Sequence, residues 1–240
     1  MESRRRVAVL LAGGTGTRIG TAISGDTPKQ LLEIGGRTLL EHALRAFHAH
    51  PDVDAITLVM AADHLDAAQT IVDRGGYADK VTAVVTGGRT RSDSTVAALA
   101  TLPDEPCLVL VHDAARPLVT GRIIGDCFEA LATYPVVNVA IESADTIVAV
   151  DADGRVRNTL DRSMLRRVQT PQGFRSEVLR EAYALAAQDP DFAATDDCGV
   201  VMRYLPDQPV VVVPGDERNL KVTTRVDLEV VAALLAADGP

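Results

Sequence analysis

Apolar runs and amphipathic stripes alternate along the first half of the chain. Short, continuously apolar runs are typical of strands buried on both faces of a parallel sheet, and they cover residues 7–11, 55–60, 81–86 and 107–112. Between them, the spacing of apolar residues predicts helices over residues 37–49, 63–72 and 95–100. Alternating strands and helices predict a Rossmann-like α/β fold with a mostly parallel sheet and helices on both faces. Ligands of such sheets bind beyond the carboxyl ends of the strands.

The second half of the chain is less regular and predicts a projecting hairpin. Helices are predicted over residues 123–132, 176–187 and 225–236, with a further helix capped by Thr-Asp-Asp at 195–197. Strands are predicted over 136–141 and, as a buried strand, over 210–213. Two further segments of alternating polarity flank the turn residues 151–154, Asp-Ala-Asp-Gly, which is a hairpin signal. A two-stranded ribbon alone is marginal in water, so we expect this arm, about residues 142–164, to pack on a second copy of the chain. Residues 1–240 are expected to form one domain with this arm.

A glycine-rich loop follows the first apolar run. The segment 13–16, Gly-Gly-Thr-Gly, leads to Arg18 and then to Lys29. Glycine lets backbone N–H groups approach a ligand closely, so the loop suits the oxygens of a phosphate chain, with both cations as counter-charges. The loop lacks the third glycine of the dinucleotide fingerprint, where Ile19 stands, and the chain lacks the Gly-Lys-Ser/Thr of a Walker A loop. The structural alternative, a glycine turn beside solvated cations, gives the TPKQ segment at 27–30 no packing purpose.

Composition argues against several other classes of protein. The 240 residues are 47% hydrophobic, and no apolar run reaches the roughly 18 residues of a membrane span. The formal charge of -9 argues against a general nucleic-acid binder, which usually has a basic face. The cysteines are widely spaced and contain no CxxC pair, so we expect buried, apolar thiols. The arginine-rich start leads into a strand and not into a signal sequence, which predicts a cytoplasmic protein.

Asp113 ends the fourth predicted strand, at the same sheet edge as the glycine loop. For a nucleoside triphosphate lying across the strand ends, transfer of its α-phosphorus depends chiefly on positioning and charge neutralisation. Arg18 and Lys29 would neutralise the triphosphate, and Asp113 would hold Mg²⁺, which prefers oxygen ligands. An attacking phosphate monoester is already mostly ionised, since its second pKa is about 6. No general base is therefore needed, and we expect His112 to have a structural hydrogen-bonding role.

Several motifs together resemble one family of nucleotidyltransferases. AGGTGTRIG followed by PKQ is similar to the signature loop of enzymes that join a nucleoside monophosphate to a sugar or polyol phosphate. The later motifs resemble the 2-C-methyl-D-erythritol 4-phosphate cytidylyltransferases of isoprenoid synthesis. These motifs are GGRTRSDS (87–94), VHDAARP (111–117), LDR (160–162), TPQGF (170–174) and NLKVT (219–223). Each motif is modest alone, but the five together with the first loop span nearly the whole chain and make the resemblance specific.

The resemblance implies CTP as donor, a polyol phosphate as acceptor, Mg²⁺ as cofactor and a homodimer joined by the hairpin arm. The residues that it implies for nucleotide binding are Ala12, Gly13, Gly14, Thr15, Gly16, Gly88, Ser94 and Asp113, with Asp113 also as the metal ligand. The catalytic residues that it implies are Arg18, Lys29 and Lys221. The acceptor-binding residues that it implies are Arg116, Thr146, Arg162 and Thr170, with the first three supplied by the partner subunit.

The chain departs from the family pattern at positions that bear on the acceptor. The loop begins Leu11-Ala-Gly-Gly14, which is more typical of the related ribitol 5-phosphate cytidylyltransferases than the Pro-Ala-Ala-Gly of the methylerythritol enzymes. Arg89 stands where relatives often have an acidic residue. HDAARP and TPQGF favour the methylerythritol branch. The sequence therefore predicts cytidylyl transfer to 2-C-methyl-D-erythritol 4-phosphate, with D-ribitol 5-phosphate as the alternative acceptor.

Two other classes of function remain to be compared with this prediction. An oxidoreductase of doubly wound fold is disfavoured because the dinucleotide fingerprint is incomplete. A nucleotide-binding regulator without catalysis is disfavoured because the chain retains Arg18, Lys29, Asp113 and Lys221 together.

Overall fold

The structure, a computed structural model, describes residues 4–14 and 27–237. The strands of these ranges are β1 (Arg6–Ala12), β2 (Glu33–Ile34), β3 (Arg37–Thr38), β4 (Ala55–Met60), β5 (Val81–Thr86), β6 (Leu108–Asp113), β7 (Val136–Glu142), β8 (Val148–Val150), β9 (Val156–Thr159), β10 (Arg166–Arg175) and β11 (Val210–Pro214). The helices are α1 (Leu39–Ala49), α2 (Leu65–Gly75), α3 (Arg91–Leu99), α4 (Gly121–Thr133), α5 (Ser176–Ala186), α6 (Asp197–Tyr204) and α7 (Arg225–Ala237). Within these ranges, every helix falls short of the length and apolarity that a membrane crossing needs.

A seven-stranded sheet with the order β11-β7-β10-β6-β1-β4-β5 forms the centre of the fold. β1 pairs in parallel with β4 and β6, and β4 pairs in parallel with β5. β10 is antiparallel to both of its neighbours, β6 and β7, whereas the edge strand β11 is parallel to β7. The predicted Rossmann-like α/β fold with a mostly parallel sheet is therefore confirmed.

Helices cover both faces of this sheet. Successive side chains of a strand point to opposite faces, so Ala8 and Leu10 of β1 join one core cluster while Val7 and Val9 join another. Side chains of α1, α2 and α4 complete the first cluster, and side chains of α3, α5 and α6 complete the second. Because both faces are covered, the carboxyl edge of the parallel strands is the surface left for a ligand.

The strands predicted over 55–60 and 81–86 coincide with β4 and β5. Capping explains the helix boundaries beside them. The Thr38 hydroxyl accepts a hydrogen bond from the Glu41 N–H at 3.1 Å and starts α1. Gly76, with φ of 71°, ends α2 in the left-handed conformation that glycine adopts readily.

The structure differs from the sequence predictions at α3, β10 and β11. α3 begins at Arg91, earlier than predicted, because Thr90 and Asp93 form a reciprocal capping box at its start. β10 was not predicted, because Pro171 and buried polar residues interrupt its apolar pattern. β11 lies at a sheet edge, where Val212 is 49% exposed, so the expectation of a buried strand there is wrong.

The predicted hairpin is confirmed as the separate two-stranded sheet of β8 and β9. Gly154 has φ of 79° in the turn that joins the strands. Every residue of β8 and β9 is exposed, and several of them are valines. The arm therefore presents apolar side chains to the outside of the chain.

Candidate active site

A cleft of 620 Å³ opens where β1, β4, β5 and β6 end. The first glycine loop, GGRTRSDS and Asp113 of HDAARP all contribute residues to its lining. Lys29 and Lys221 line the same cleft. The sequence motifs that we assigned to the carboxyl edge of the sheet therefore meet in one place.

Asp113 is the last residue of β6 and is nearly buried. Its Oδ2 lies 2.7 Å from Lys221 Nζ, and its Oδ1 lies 3.3 Å from Arg91 Nε. Burial alone would raise the pKa of Asp113, but the charges of Arg91 and Lys221 hold that pKa well below its usual range. The cleft therefore contains an ionised carboxylate with a cation at each oxygen.

Two residues of this charge arrangement, Arg91 and Asp197, were not predicted. Arg91 Nη1 donates to Asp197 Oδ2 at 2.6 Å, and Asp197 is fully buried at the start of α6. Burial alone would lower the pKa of Arg91, but Asp197 and Asp113 raise it above its ordinary value. The two residues lie 106 positions apart, so no local pattern joins them. The available signal was that Arg91 belongs to the GGRTRSDS motif and Asp197 to the Thr-Asp-Asp segment that caps a predicted helix.

Lys29 and Lys221 come to the cleft from distant parts of the chain. Lys29 begins the 3₁₀ turn Lys29–Leu31, and its buried Nζ donates to the carbonyl of Val222 at 2.9 Å. The N–H of Val222 donates to the carbonyl of Ala115 at 2.8 Å. These bonds connect the PKQ, HDAARP and NLKVT motifs. Lys221 lies in an irregular segment between β11 and α7.

Gln30 shapes the first glycine loop. Its Nε2 donates to the carbonyls of Ala12 and Gly14, the second at 2.8 Å. The Ala12 side chain is in the core, so only its backbone faces the loop. A Cβ on Gly14 would meet no described atom within 4 Å. Packing against the described residues therefore does not require glycine at this position.

The second glycine loop is fixed by the capping box of α3. A Cβ on Gly88 would lie 2.1 Å from Asp93 Cβ, and a Cβ on Gly87 would lie 2.7 Å from Ser94 Oγ. Side chains at both positions are therefore excluded. Ser94 is buried, lines the cleft and donates to the carbonyl of Thr90 at 3.1 Å. Its oxygen can still accept a hydrogen bond from a ligand.

Thr170 and His112 support Asp113 from within the sheet. The Thr170 hydroxyl accepts from the Asp113 N–H at 3.1 Å and lies 3.0 Å from His112 Nδ1. His112 Nε2 lies 3.0 Å from the carbonyl of Arg116, which can only accept, so Nε2 holds the proton and Thr170 donates to Nδ1. Burial lowers the pKa of His112 to about 4. These bonds agree with the structural role expected for His112.

Comparison with known proteins identifies the family of the chain. The family model described as IspD, 2-C-methyl-D-erythritol 4-phosphate cytidylyltransferase, matches residues 6–237. The enzyme of that name from Thermobifida fusca is 50% identical over 237 residues, which cover 96% of this chain and 93% of the relative. The chain belongs to this family.

Solved structures of the IspD family share the fold. The crystal structure of 4-diphosphocytidyl-2C-methyl-D-erythritol synthase from Anaerococcus prevotii is 30% identical and gives a TM-score of 0.84, with 97% of this chain and 99% of that chain covered.

A bifunctional ribulose 5-phosphate reductase/CDP-ribitol pyrophosphorylase, Bcs1 of Haemophilus influenzae, is 37% identical over 95% of this chain and 48% of its own length. Similarity to a ribitol-related protein is therefore present but lower.

The acceptor-binding residues predicted from IspD enzymes are not gathered in one chain. Arg116 is 9% exposed and donates from Nη1 to the carbonyl of Asn219 at 2.8 Å, and burial lowers its pKa. Thr146 and Arg162 are exposed on the arm, and neither is among the described residues that line the cleft. Thr170 is buried beneath Asp113. Contact of these four residues with an acceptor stays a prediction.

Three residues predicted from the IspD resemblance lie outside the described residues. They are Thr15 and Gly16, assigned to the nucleotide, and Arg18, assigned to catalysis. Their assignments stay predictions.

Proposed function

We propose that this chain transfers CMP from CTP to 2-C-methyl-D-erythritol 4-phosphate and releases pyrophosphate. The observation that carries the proposal is the Asp113 carboxylate, paired with Arg91 and Lys221 in a cleft framed by two glycine loops. Such a cleft offers backbone groups and cations to a phosphate chain. Membership of the IspD family supports cytosine as the base and the methylerythritol acceptor.

In this proposal the chain's own groups act by positioning and by neutralising charge. Lys29 and Lys221, with Arg18, would hold the triphosphate while the acceptor phosphate attacks its α-phosphorus. The bond from that phosphorus to the acceptor oxygen forms as the bond to pyrophosphate breaks. Neutralisation matters because phosphoryl-transfer transition states spread negative charge over several oxygens. His112 takes no proton in this step, since it is buried and both of its nitrogens are engaged.

Asp113 fits the Mg²⁺ that the proposal includes. Mg²⁺ is usually held in nucleotide sites by one or two carboxylates together with substrate phosphates. Among the described residues, no group of three or more His, Cys, Asp or Glu side chains could hold a metal alone. A single carboxylate facing the nucleotide matches the shared form of binding. The ion would supply charge neutralisation to the phosphates when bound.

The proposal includes a homodimer in which the arm of one subunit reaches the cleft of the other. Val148, Val150, Val156 and Met164 on or beside the arm are 42%, 56%, 60% and 81% exposed. Exposed apolar residues in such a group are typical of an interface. Thr146 and Arg162 lie on the same arm, and the planar guanidinium of an arginine suits the binding of a phosphate.

The cytoplasmic location stays a prediction.

Pyrophosphate release is the experiment that tests the proposal. The protein is incubated with CTP and Mg²⁺, together with methylerythritol 4-phosphate, ribitol 5-phosphate or no acceptor. We expect release only with methylerythritol 4-phosphate. Release only with ribitol 5-phosphate would instead make the Leu11-Ala-Gly-Gly14 loop and the Haemophilus relative the better guides. If folded protein releases no pyrophosphate with either acceptor, the proposed reaction is overturned.

A further inference from the structure

Asp197 is a buried carboxylate with a full set of donors. It is fully buried at the start of α6 and accepts from Arg91 Nη1 at 2.6 Å, from the Tyr183 hydroxyl at 2.6 Å and from the Thr95 hydroxyl at 2.9 Å. Its own N–H donates to Gln172 Oε1 at 3.0 Å. Removing one partner from a buried charge is strongly unfavourable. The position of this carboxylate is therefore fixed from several sides.

Arg91 connects this fixed carboxylate with Asp113 in the cleft. One edge of its guanidinium faces Asp197, and its Nε donates to Asp113 Oδ1 at 3.3 Å. The planar shape of the group lets it pair with both carboxylates at once, which a lysine ammonium cannot do in the same geometry. The capping box fixes the backbone at the start of α3, next to Arg91.

The two cations beside Asp113 are held differently. The Arg91 side chain is 21% exposed and pairs with two carboxylates, whereas the Lys221 side chain is 34% exposed and its ion pair is with Asp113. Loss of Arg91 would leave Asp197 as a buried charge without its cation. Loss of the Lys221 pair would still leave Asp113, which lines the cleft, paired with Arg91. Of the two partners of Asp113, Lys221 is therefore the one that a ligand can displace.

We propose that Arg91, anchored by Asp197, is a positioning residue that holds Asp113 by Oδ1 and so keeps Oδ2 available for exchange between Lys221 and the nucleotide's divalent cation. This inference rests on the proposed function, because it assigns the cation to a bound nucleotide. It assigns Arg91 an action through Asp113 and not through direct contact with the nucleotide. A purely structural role, in which Arg91 only joins α3 to α6, predicts no link with the cation.

Two variants distinguish the positioning role of Arg91 from a purely structural role. Arg91→Lys keeps the positive charge but loses the planar guanidinium that pairs with two carboxylates. Asp197→Asn keeps the size of the side chain but loses its negative charge. Arg74→Lys is the matched control, because Arg74 donates to the buried Glu41 carboxylate at 2.8 Å and is outside the described lining of the cleft. Tyr183→Phe removes one donor from Asp197 and serves as the milder variant where Asp197→Asn is unfolded.

The measurement is the dissociation constant for CTP, by isothermal titration calorimetry, once in Mg²⁺ and once in EDTA. We expect Arg91→Lys and Asp197→Asn to weaken binding in Mg²⁺ by about 10- to 100-fold, as is usual when a partner of a metal ligand is changed. Binding in EDTA should stay unchanged, and Arg74→Lys should match the unmodified protein in both buffers.

Three outcomes would overturn the inference. Equal losses in Mg²⁺ and EDTA would assign Arg91 to the nucleotide itself. Unchanged affinity in both buffers, with only a lower melting temperature, would leave Arg91 a structural role alone. If the unmodified protein binds CTP in neither buffer, the proposed function fails and this inference fails with it. In the first two outcomes the unmodified protein does bind CTP, so only this inference fails.

Discussion

At the scale of single residues, buried polar side chains determine the shape of the cleft. Gln30 is 2% exposed and donates to the carbonyls of Ala12, at the end of β1, and Gly14, in the first glycine loop. Thr170 is 5% exposed and joins the Asp113 backbone to His112. An unpaired buried polar group costs about 1–3 kcal/mol. Small changes in these side chains should therefore alter ligand binding although neither carries a charge.

Gln30→Glu should weaken CTP binding by about tenfold or more, since replacing the donor Nε2 with an oxygen sets a carboxylate against two carbonyls. Isothermal titration calorimetry in Mg²⁺ measures the effect. Gln69→Glu is the control, because Gln69 is exposed on α2 and donates from Nε2 to Asp73 at 2.9 Å. Equal CTP affinity in the two variants would show that Gln30 does not set the loop.

His112→Gln should remove a pH dependence of stability. The pKa of His112 is lowered to about 4 by burial, while that of an unfolded histidine is about 6.5. The unfolded state then binds more protons below about pH 6.5, so the free energy of unfolding falls as the pH decreases toward 4. Linkage gives a loss of about 2 kcal/mol between about pH 7 and about pH 5.

Denaturant unfolding of both proteins at the two pH values measures this loss. Gln at position 112 retains a donor for the Arg116 carbonyl but cannot titrate. Asp113 and Arg116, the charged groups next to His112, keep their charges over this range. Parallel pH profiles of the variant and the unmodified protein would contradict the assignment.

At the scale of elements, α3 links secondary structure to the site. Its capping box holds the second glycine loop, and its first turn contains Arg91 and Ser94. The predicted start at residue 95 was wrong because a glycine-rich segment favours a loop, whereas Thr90 and Asp93 together satisfy the N–H groups of an earlier turn. The box was readable from the sequence, but the glycines beside it gave the stronger local signal.

Thr90→Ala should cost about 1 kcal/mol of stability, which is typical for an N-cap, and should also weaken CTP binding. Thr120→Ala is the matched control, since Thr120 caps α4 through the Ile123 N–H at 3.4 Å outside the described cleft lining. Thermal denaturation and calorimetric titration distinguish the two variants. If both variants lose stability but keep CTP affinity, the cap does not shape the site.

β10 shows which strands a sequence pattern reveals. β4 and β5 were predicted because parallel strands of this sheet are short and apolar. β10 contains Gln169 and Gln172, which are buried because their amides bond to other parts of the chain. Such burial depends on partners far away in sequence, so the local sequence of β10 does not predict a strand. The position of β10, antiparallel between β6 and β7, is known only from the structure of the sheet.

At the scale of the whole molecule, the sheet edge that holds the cleft was predictable, whereas the charge arrangement inside it was not. Parallel strands align their carboxyl ends, so motifs after β1, β5 and β6 had to meet. The ion pair of Arg91 and Asp197 needs the exact path of α3 and α6, which no pattern supplies. In the proposed homodimer, a second chain would complete the acceptor site.

Val156→Glu should convert the proposed homodimer into monomers, because it places a charge among the exposed apolar residues of the arm. Multi-angle light scattering measures the mass, and the pyrophosphate assay should show lost activity in the monomer. Val226→Glu is the control, since Val226 is 65% exposed on α7 and Val156 is 60% exposed on β9. A dimer of normal activity from Val156→Glu would contradict the assignment of the arm.

The bond from Lys29 to the Val222 carbonyl joins residues 193 positions apart. Arg116 likewise bonds to Asn219, and Asp113 pairs with Lys221. These contacts of the cleft can therefore form only after residues 219–222 have been synthesised, later than all strands of the described sheet. Contacts of such long sequence separation form late and slowly. A nascent chain should therefore acquire its nucleotide site only after this last segment has been synthesised.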